Sequence, residues 1–172
     1  SCCTETKPFG SNRQKILRSD GVSSHNIRSF REEDLQEVKR LIHETISACY
    51  PSIYSNEVVQ FFLKYHSEQE ILRRARSGIV IVLYFRNGIR ATGFLDGEEM
   101  GGVYVHPAYQ RRGFGKAVVQ HLLSAARKRS QKYIHLDSTP HAKSMYEKLD
   151  FRLIGPALDM IGDAPLHYFK ME

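Results

Sequence analysis

The stretch that most restricts this chain is VYVHPAYQRRGFGKAVVQHLLSAARKR, Val103 to Arg129. Its first part alternates like a strand. Its last part places Val118, Val119, Leu122, Leu123 and Ala126 on one helical face. Arg127, Lys128 and Arg129 collect at the C-terminal end of that helix, where cations suit the macrodipole. A strand must therefore hand over to a helix within QRRGFG, Gln110 to Gly115, a turn that carries two arginines and two glycines.

The elements around it follow from periodicity. NIRSF, from Asn26, reads as a short strand, and Leu35, Val38, Leu41, Ile42, Thr45, Ile46 and Cys49 recur at helical spacing until Pro51. Ser55 and Ser67 read as N-caps of two further helices, the second with Glu70 placed to complete a capping box. From Ile79 the pattern changes to IVIVLYF, Asn87-Gly88, IRATGFL, Asp96-Gly97 and EEMGGVYV, a three-stranded antiparallel meander with two hairpin turns. Gly101-Gly102 inside its third strand marks a bulge, a close approach, or simple relief of crowding. Beyond the central helix, YIHLD reads as a strand, Thr139-Pro140 as the N-cap and first residue of a helix ending at Asp150, and FRLIGPALDM with PLHYFKM as a closing hairpin.

Residues 1–25 are polar and Ser-rich with no apolar periodicity, and are expected to form a flexible extension; 26–172 are expected to form a single domain. No apolar run reaches the roughly 20 residues that span a bilayer, so no membrane partner is expected. No apolar leader opens the sequence and the three cysteines have neither framework nor zinc spacing, which points to a cytoplasmic protein. His43, His106, His121, His135 and His141 show no metal spacing, so no metal is expected. The net charge of +6 favours an anionic partner without saying which.

The turn itself narrows the choice. A helix leaves its first N–H groups unpaired and positively polarised, and glycines let an anion approach them. Gly113 and Gly115 would form such a cradle, with Arg111, Arg112 and Lys116 adding charge, and a pyrophosphate is the natural occupant. A dinucleotide fingerprint would need Gly or Ala where Val118 stands, and a parallel unit where the meander stands. A P-loop would need Gly at Gln110 and Ser or Thr at Ala117. Arg112-Gly113-Phe114-Gly115 matches the first half of an RNP1 motif, but that motif must lie on a strand and this one opens a helix, so nucleic acid is not expected as a partner.

With Gln110, Gly113 and Gly115 in Q/R-x-x-G-x-G/A, Val105-His106-Pro107 before it and Tyr146-Glu147-Lys148-Leu149-Asp150-Phe151 after it, the segment resembles the core of the GCN5-related N-acetyltransferase (GNAT) superfamily. The resemblance implies an α+β, α/β/α layered fold: a mixed, mostly antiparallel twisted sheet of about six or seven strands, flanked by about four or five helices and splayed at the strand before the signature. It implies acetyl-CoA as co-substrate. The backbone from Arg111 through Arg112, Gly113, Phe114, Gly115 and Lys116 to Ala117 would hold its pyrophosphate, Tyr104 and Val105 would pair with its pantetheine arm, and Thr139 would stand close to it. Asp150 departs from the family's glycine, at a position that favours left-handed backbone.

The reaction implied is acetyl transfer to a primary amine of a small molecule or peptide by direct attack in a ternary complex. A non-catalytic acyl-CoA-binding regulator on the same fold is the alternative. Glu99, eleven positions before Gln110, is the candidate base, with Glu98 or a water chain as rivals, and Tyr146 matches the general acid. Tyr50 and Tyr54, with Phe61, Phe62 and Tyr65, form an aromatic region that either lines an acceptor pocket or belongs to the core. Nothing acidic is concentrated there, Glu44 and Glu57 being the candidates for recognising a cationic acceptor, and Cys49 reads as a packing residue. A homodimer is among the expectations.

Overall fold

IVIVLY has no polar face because both of its faces are covered. In a computed structural model describing residues 25–172, it forms a strand with Ile81 and Leu83 against one core and Val80 and Val82 turned to the other side. Helices α1 (Leu35–Cys49), α2 (Asn56–Tyr65) and α3 (Glu68–Ser77) build one layer, and α4 (Phe114–Lys128) with α5 (Lys143–Glu147) builds the opposite one. The expected extension, 1–25, lies outside the described residues except for His25. Among the described residues no helix is long and apolar enough to cross a membrane.

The sheet between the layers has two parts. Strands β1 (Asn26–Ser29), β2 (Ile79–Tyr84), β3 (Ile89–Asp96) and β4 (Glu99–Val105) pair antiparallel in that order. The other part, β5 (Leu136–Ser138), β7 (Ala164–Met171) and β6 (Leu153–Ile161), is also antiparallel. One parallel bridge joins them: Met100 N–H donates to the His135 carbonyl and His135 N–H to the Glu98 carbonyl, both at 2.9 Å. Past that point no further pairing links β4 to β5, and the sheet is splayed at the strand preceding the signature. Among the described residues, seven strands and five α-helices make the mixed, mostly antiparallel α+β arrangement expected from the sequence.

Several local readings shift. The first hairpin closes between Phe85 and Gly88, with positive φ at Arg86 and Asn87, one residue before the expected Asn87-Gly88. The second turns on Gly97-Glu98, since Asp96 pairs with Glu99. Thr139 does not cap α5, which begins only at Lys143 with Ala142 at its N-cap; the Thr139 carbonyl accepts from Ala142 and Lys143 N–H in the turn leading into it. Ser67 accepts from Glu70 N–H, but the Glu70 carboxylate is paired with Arg73, so only half of the capping box forms. Asp150 does adopt the left-handed conformation, φ 68°, and Phe151 N–H reaches back to the Tyr146 carbonyl.

Gly101 pairs with Phe94 and Tyr104 with Thr92, so Gly102 and Val103 bulge opposite Gly93. The space beside the two glycines is filled by Phe94, whose ring would lie 2.7 Å from a Cβ at Gly102, which also has φ +57°. α4 holds the other face: Val118, Val119 and Leu122 are fully buried, each contributing roughly 1.5–3 kcal/mol.

A buried polar chain fastens α2 and α3 to β4. The Arg74 guanidinium approaches His66 Nδ1 at 3.2 Å, His66 Nε2 meets the Tyr104 hydroxyl at 3.0 Å, and that hydroxyl meets the Tyr50 hydroxyl at 3.2 Å. Arginine can only donate, so His66 Nδ1 accepts and its proton sits on Nε2, donating to Tyr104. Burial, then the neighbouring Arg74 and His43, pushes the His66 pKa down from 6.5 to about 3. The unfolded chain therefore takes up this proton first as pH falls, so the stability is present above about 6.5 and is lost as pH falls towards about 3. Thermal denaturation should show melting temperature falling from pH 7 to pH 4, with a smaller fall in His66→Gln; equal slopes in the two proteins would remove His66 from this account.

Candidate functional site

Gly113 caps α4 at φ 84°, ψ 3°, and Arg111 before it is also left-handed at φ 60°. This double reversal lets the chain leave β4 and enter α4 within a few residues, and a Cβ at Gly113 would carry the cost of left-handed backbone. The first intrahelical bond runs from Ala117 N–H to the Gly113 carbonyl at 2.9 Å. Phe114, Gly115 and Lys116 N–H therefore have no helical acceptor and point out of the helix start. The donor run read from the sequence extended to Ala117; the structure ends it at Lys116.

The outer edge of β4 faces this helix start. His106 N–H donates to the Arg90 carbonyl, so alternation turns the polar groups of Val105 away from β3. The Val105 carbonyl is taken by Gln110 Nε2 at 3.1 Å and approached by the Thr45 hydroxyl at 3.4 Å. Gln110 thus ties the turn to the strand. Tyr104 has the opposite backbone orientation, towards Thr92 of β3, and contributes its buried side chain instead.

A cleft of about 590 Å³ lies between this edge, the α4 start and α5. Arg111, Lys116, Lys148 and His141 line it, and no carboxylate does. Val105, Gln110, Gly113, Phe114, Gly115 and Thr139 belong to its wall, as does Cys49, which is half-buried and open to the cleft rather than packed away. Arg112 does not reach it; its guanidinium sits 5.3 Å from the Tyr109 ring centroid.

A second cavity, of about 310 Å³, opens on the other side of the splay. Tyr50, Val103, Tyr104, Thr139 and Ala142 line both spaces. Its walls are aromatic: Tyr54, Phe61, Phe62, Tyr65, Phe94 and Tyr168. The aromatic region therefore serves as both pocket and core, because Tyr54 is also buried and donates to the His167 carbonyl at 2.9 Å. Burial pushes the Tyr50 hydroxyl up to about 12 and the Tyr54 hydroxyl higher still.

Glu99 lines this second cavity at the base of the splay, exposed, while Glu98 lines neither space. Tyr146, 6% exposed, also lines it; burial pushes its hydroxyl well above the ordinary range, so it stays protonated. That hydroxyl makes no hydrogen bond among the described residues, and its residue forms part of the cavity wall. Two further carboxylates, Asp137 and Asp159, complete the lining. Glu44 faces His106 instead, and neither it nor Glu57 lines the cavity, so the acidic groups near the aromatic wall are not those the sequence suggested. His66, Asp137 and Asp159 were not singled out in the sequence; β5 and β6 give each acid an ordinary strand-surface setting, and only the sheet order brings them to one place. Among the described residues no group of three or more His, Cys, Asp or Glu is placed to hold a metal ion.

A family model described as an acetyltransferase (GNAT) domain matches residues 49–166. A search of curated proteins returns no match. Among solved structures, a GCN5-related N-acetyltransferase from Rhodopseudomonas palustris superposes with TM-score 0.79 at 18% identity, covering 89% of this chain and 98% of the other. The PaiA N-acetyltransferase from Thermoplasma acidophilum, solved with coenzyme A, gives TM-score 0.71 at 18% identity over 86% of this chain and 97% of its own. The ribosomal-protein-S18-alanine N-acetyltransferase from Escherichia coli gives 0.65 at 19% over 86% and 92%. These identities carry the fold alone; the family match covers well over half of the sequence, and the chain belongs to the GNAT acetyltransferases.

Proposed function

We propose that this chain transfers an acetyl group from acetyl-CoA to a primary amine of a small molecule or peptide, by direct attack in a ternary complex. The observation that carries this reading is the meeting of two unlike spaces at Val103, Tyr104 and Thr139: a basic cleft with unpaired helix amides, and an aromatic cavity with carboxylates. A donor held in the first and an acceptor held in the second would face each other across the splay.

The basic cleft suits the coenzyme. Phe114, Gly115 and Lys116 N–H would donate to a diphosphate, Gly113 leaves the approach open, and Arg111 and Lys116 add positive charge with no carboxylate to oppose it. When bound, acetyl-CoA supplies an activated thioester. Val105 N–H, turned off the sheet into the cleft, is the chain's donor for the thioester carbonyl and for the arm beside it.

Amine attack forms the C–N bond and breaks the C–S bond, so one proton must leave nitrogen and one must reach sulfur. Glu99 takes up the first, directly or through water. Tyr146 gives the second from a hydroxyl that burial keeps protonated. Each group is then reset by exchange with solvent through the open cavity.

Calorimetry should show coenzyme A binding to the wild type and at least tenfold weaker binding to Gly113→Glu, which places a carboxylate in the cradle and a side chain at left-handed backbone. Unchanged affinity would remove the cradle from the site. In turnover assays, Glu99→Gln and Tyr146→Phe should each lower kcat by about 10²–10⁴-fold with coenzyme affinity preserved. Full turnover in both would overturn the two roles, and coenzyme binding without acetylation of any amine would favour the regulator.

A further inference from the structure

The second cavity runs against the charge of the molecule. On a chain of net charge +6, Glu99, Asp137 and Asp159 line one space, and no lysine or arginine lines it with them. They come from β4, β5 and β6, so the cluster is made by the sheet order rather than by one acidic segment. None of the three has a cationic partner within 4.0 Å among the described residues; Asp159 only accepts from the Tyr168 hydroxyl at 3.1 Å. Lys170, the register partner of Asp137, and His135, two residues before it, are the opposing charges that act on Asp137. Arg74 lies behind the wall, over the Tyr65 and Phe94 rings at 4.4 and 4.8 Å and against His66.

One carboxylate suffices for the proton that leaves an attacking amine. Two more, unpaired and beside aromatic rings, are in excess of that need. Desolvation pushes the Asp137 carboxyl above its ordinary value against the pull of Lys170 and His135, and the Asp159 charge adds to the push. Tyr146, a polar side chain 6% exposed that makes no hydrogen bond among the described residues, lines the same space. The walls fit an unbranched chain. Tyr50, Phe62 and Tyr65 offer apolar faces for methylenes and π-surface for an ammonium, within a volume of about 310 Å³ that suits a small molecule better than a folded chain segment.

We propose that the acceptor is an aliphatic diamine or polyamine: one amine is acetylated at the splay, and a second, still charged nitrogen is held by Asp137 and Asp159 in the same aromatic cavity. This rests on the acetyl-transfer reading above. It assigns Asp137 and Asp159 to specificity and leaves the chemistry to Glu99 and Tyr146.

The test compares amines that differ only in the second charge, using the full chain and acetyl-CoA. With free thiol release as readout, 1,5-diaminopentane should show kcat/KM at least tenfold above 1-aminopentane, mostly through KM, and the gap should shrink as salt rises. In Asp137→Asn/Asp159→Asn the gap should close, with coenzyme affinity by calorimetry confirming that the variant is folded. Equal kcat/KM for the two amines in the wild type would overturn the proposal while leaving the acetyltransferase reading intact. If neither amine nor any other in a broad panel is acetylated, that reading fails by itself, and direct calorimetry of 1,5-diaminopentane decides the pocket. Binding weakened at least tenfold in the double variant upholds the diamine site, and no binding to the wild type overturns it.

Discussion

Everything in this site depends on where β4 stops being paired. A single bridge at His135 holds the two halves of the sheet together, and beyond it the backbone of β4 runs with one edge open. An unpaired strand edge inside a protein is costly unless something satisfies its polar groups. Here Gln110 and Thr45 satisfy the Val105 carbonyl, and the amide on the same side is left facing the cleft. The turn that supplies Gln110 is also the turn that bares the first amides of α4. One short segment therefore fixes both the strand edge and the helix start relative to each other.

The surroundings divide by charge. The space beside the helix start has cations and no carboxylate, whereas the space beyond the splay has carboxylates and no lysine or arginine. The separation is not a property of sequence blocks: Lys116 and Lys148 fall on one side, Glu99 and Asp137 on the other, interleaved along the chain. It arises because β4 and β5 diverge, so that side chains from neighbouring elements look into different rooms. Between them stands Tyr104, held by His66 and Tyr50 through a chain of hydrogen bonds that ends on a buried guanidinium. The aromatic wall is thus anchored at its polar tips as well as packed through its rings.

Much of this was legible in the sequence, for a physical reason that differs from element to element. α1 and α4 were readable because their apolar faces repeat over four turns, and the signature turn because only a few backbone shapes join a strand to a helix so quickly. The hairpins were readable in kind but slipped by one residue, since the closing pair is chosen by the register of the opposing strand and not by the turn dipeptide alone. Thr139 looked like a cap because a cap is recognised from a local pattern; the chain instead spends that residue in a turn before α5. The acids at Asp137 and Asp159 were illegible because nothing within several residues of either distinguishes them from surface charge. Only pairing through β7 gathers them.

The two spaces share Tyr50, Val103, Tyr104, Thr139 and Ala142 as a common partition. A partition with two sides cannot be shifted for one occupant alone. Whatever factor an occupant of one room applies to the affinity of the other must be returned in full by the second occupant to the first, because both routes around the cycle end in the same doubly filled state. Reciprocity of that kind is a property of the dividing wall, whichever molecule enters first.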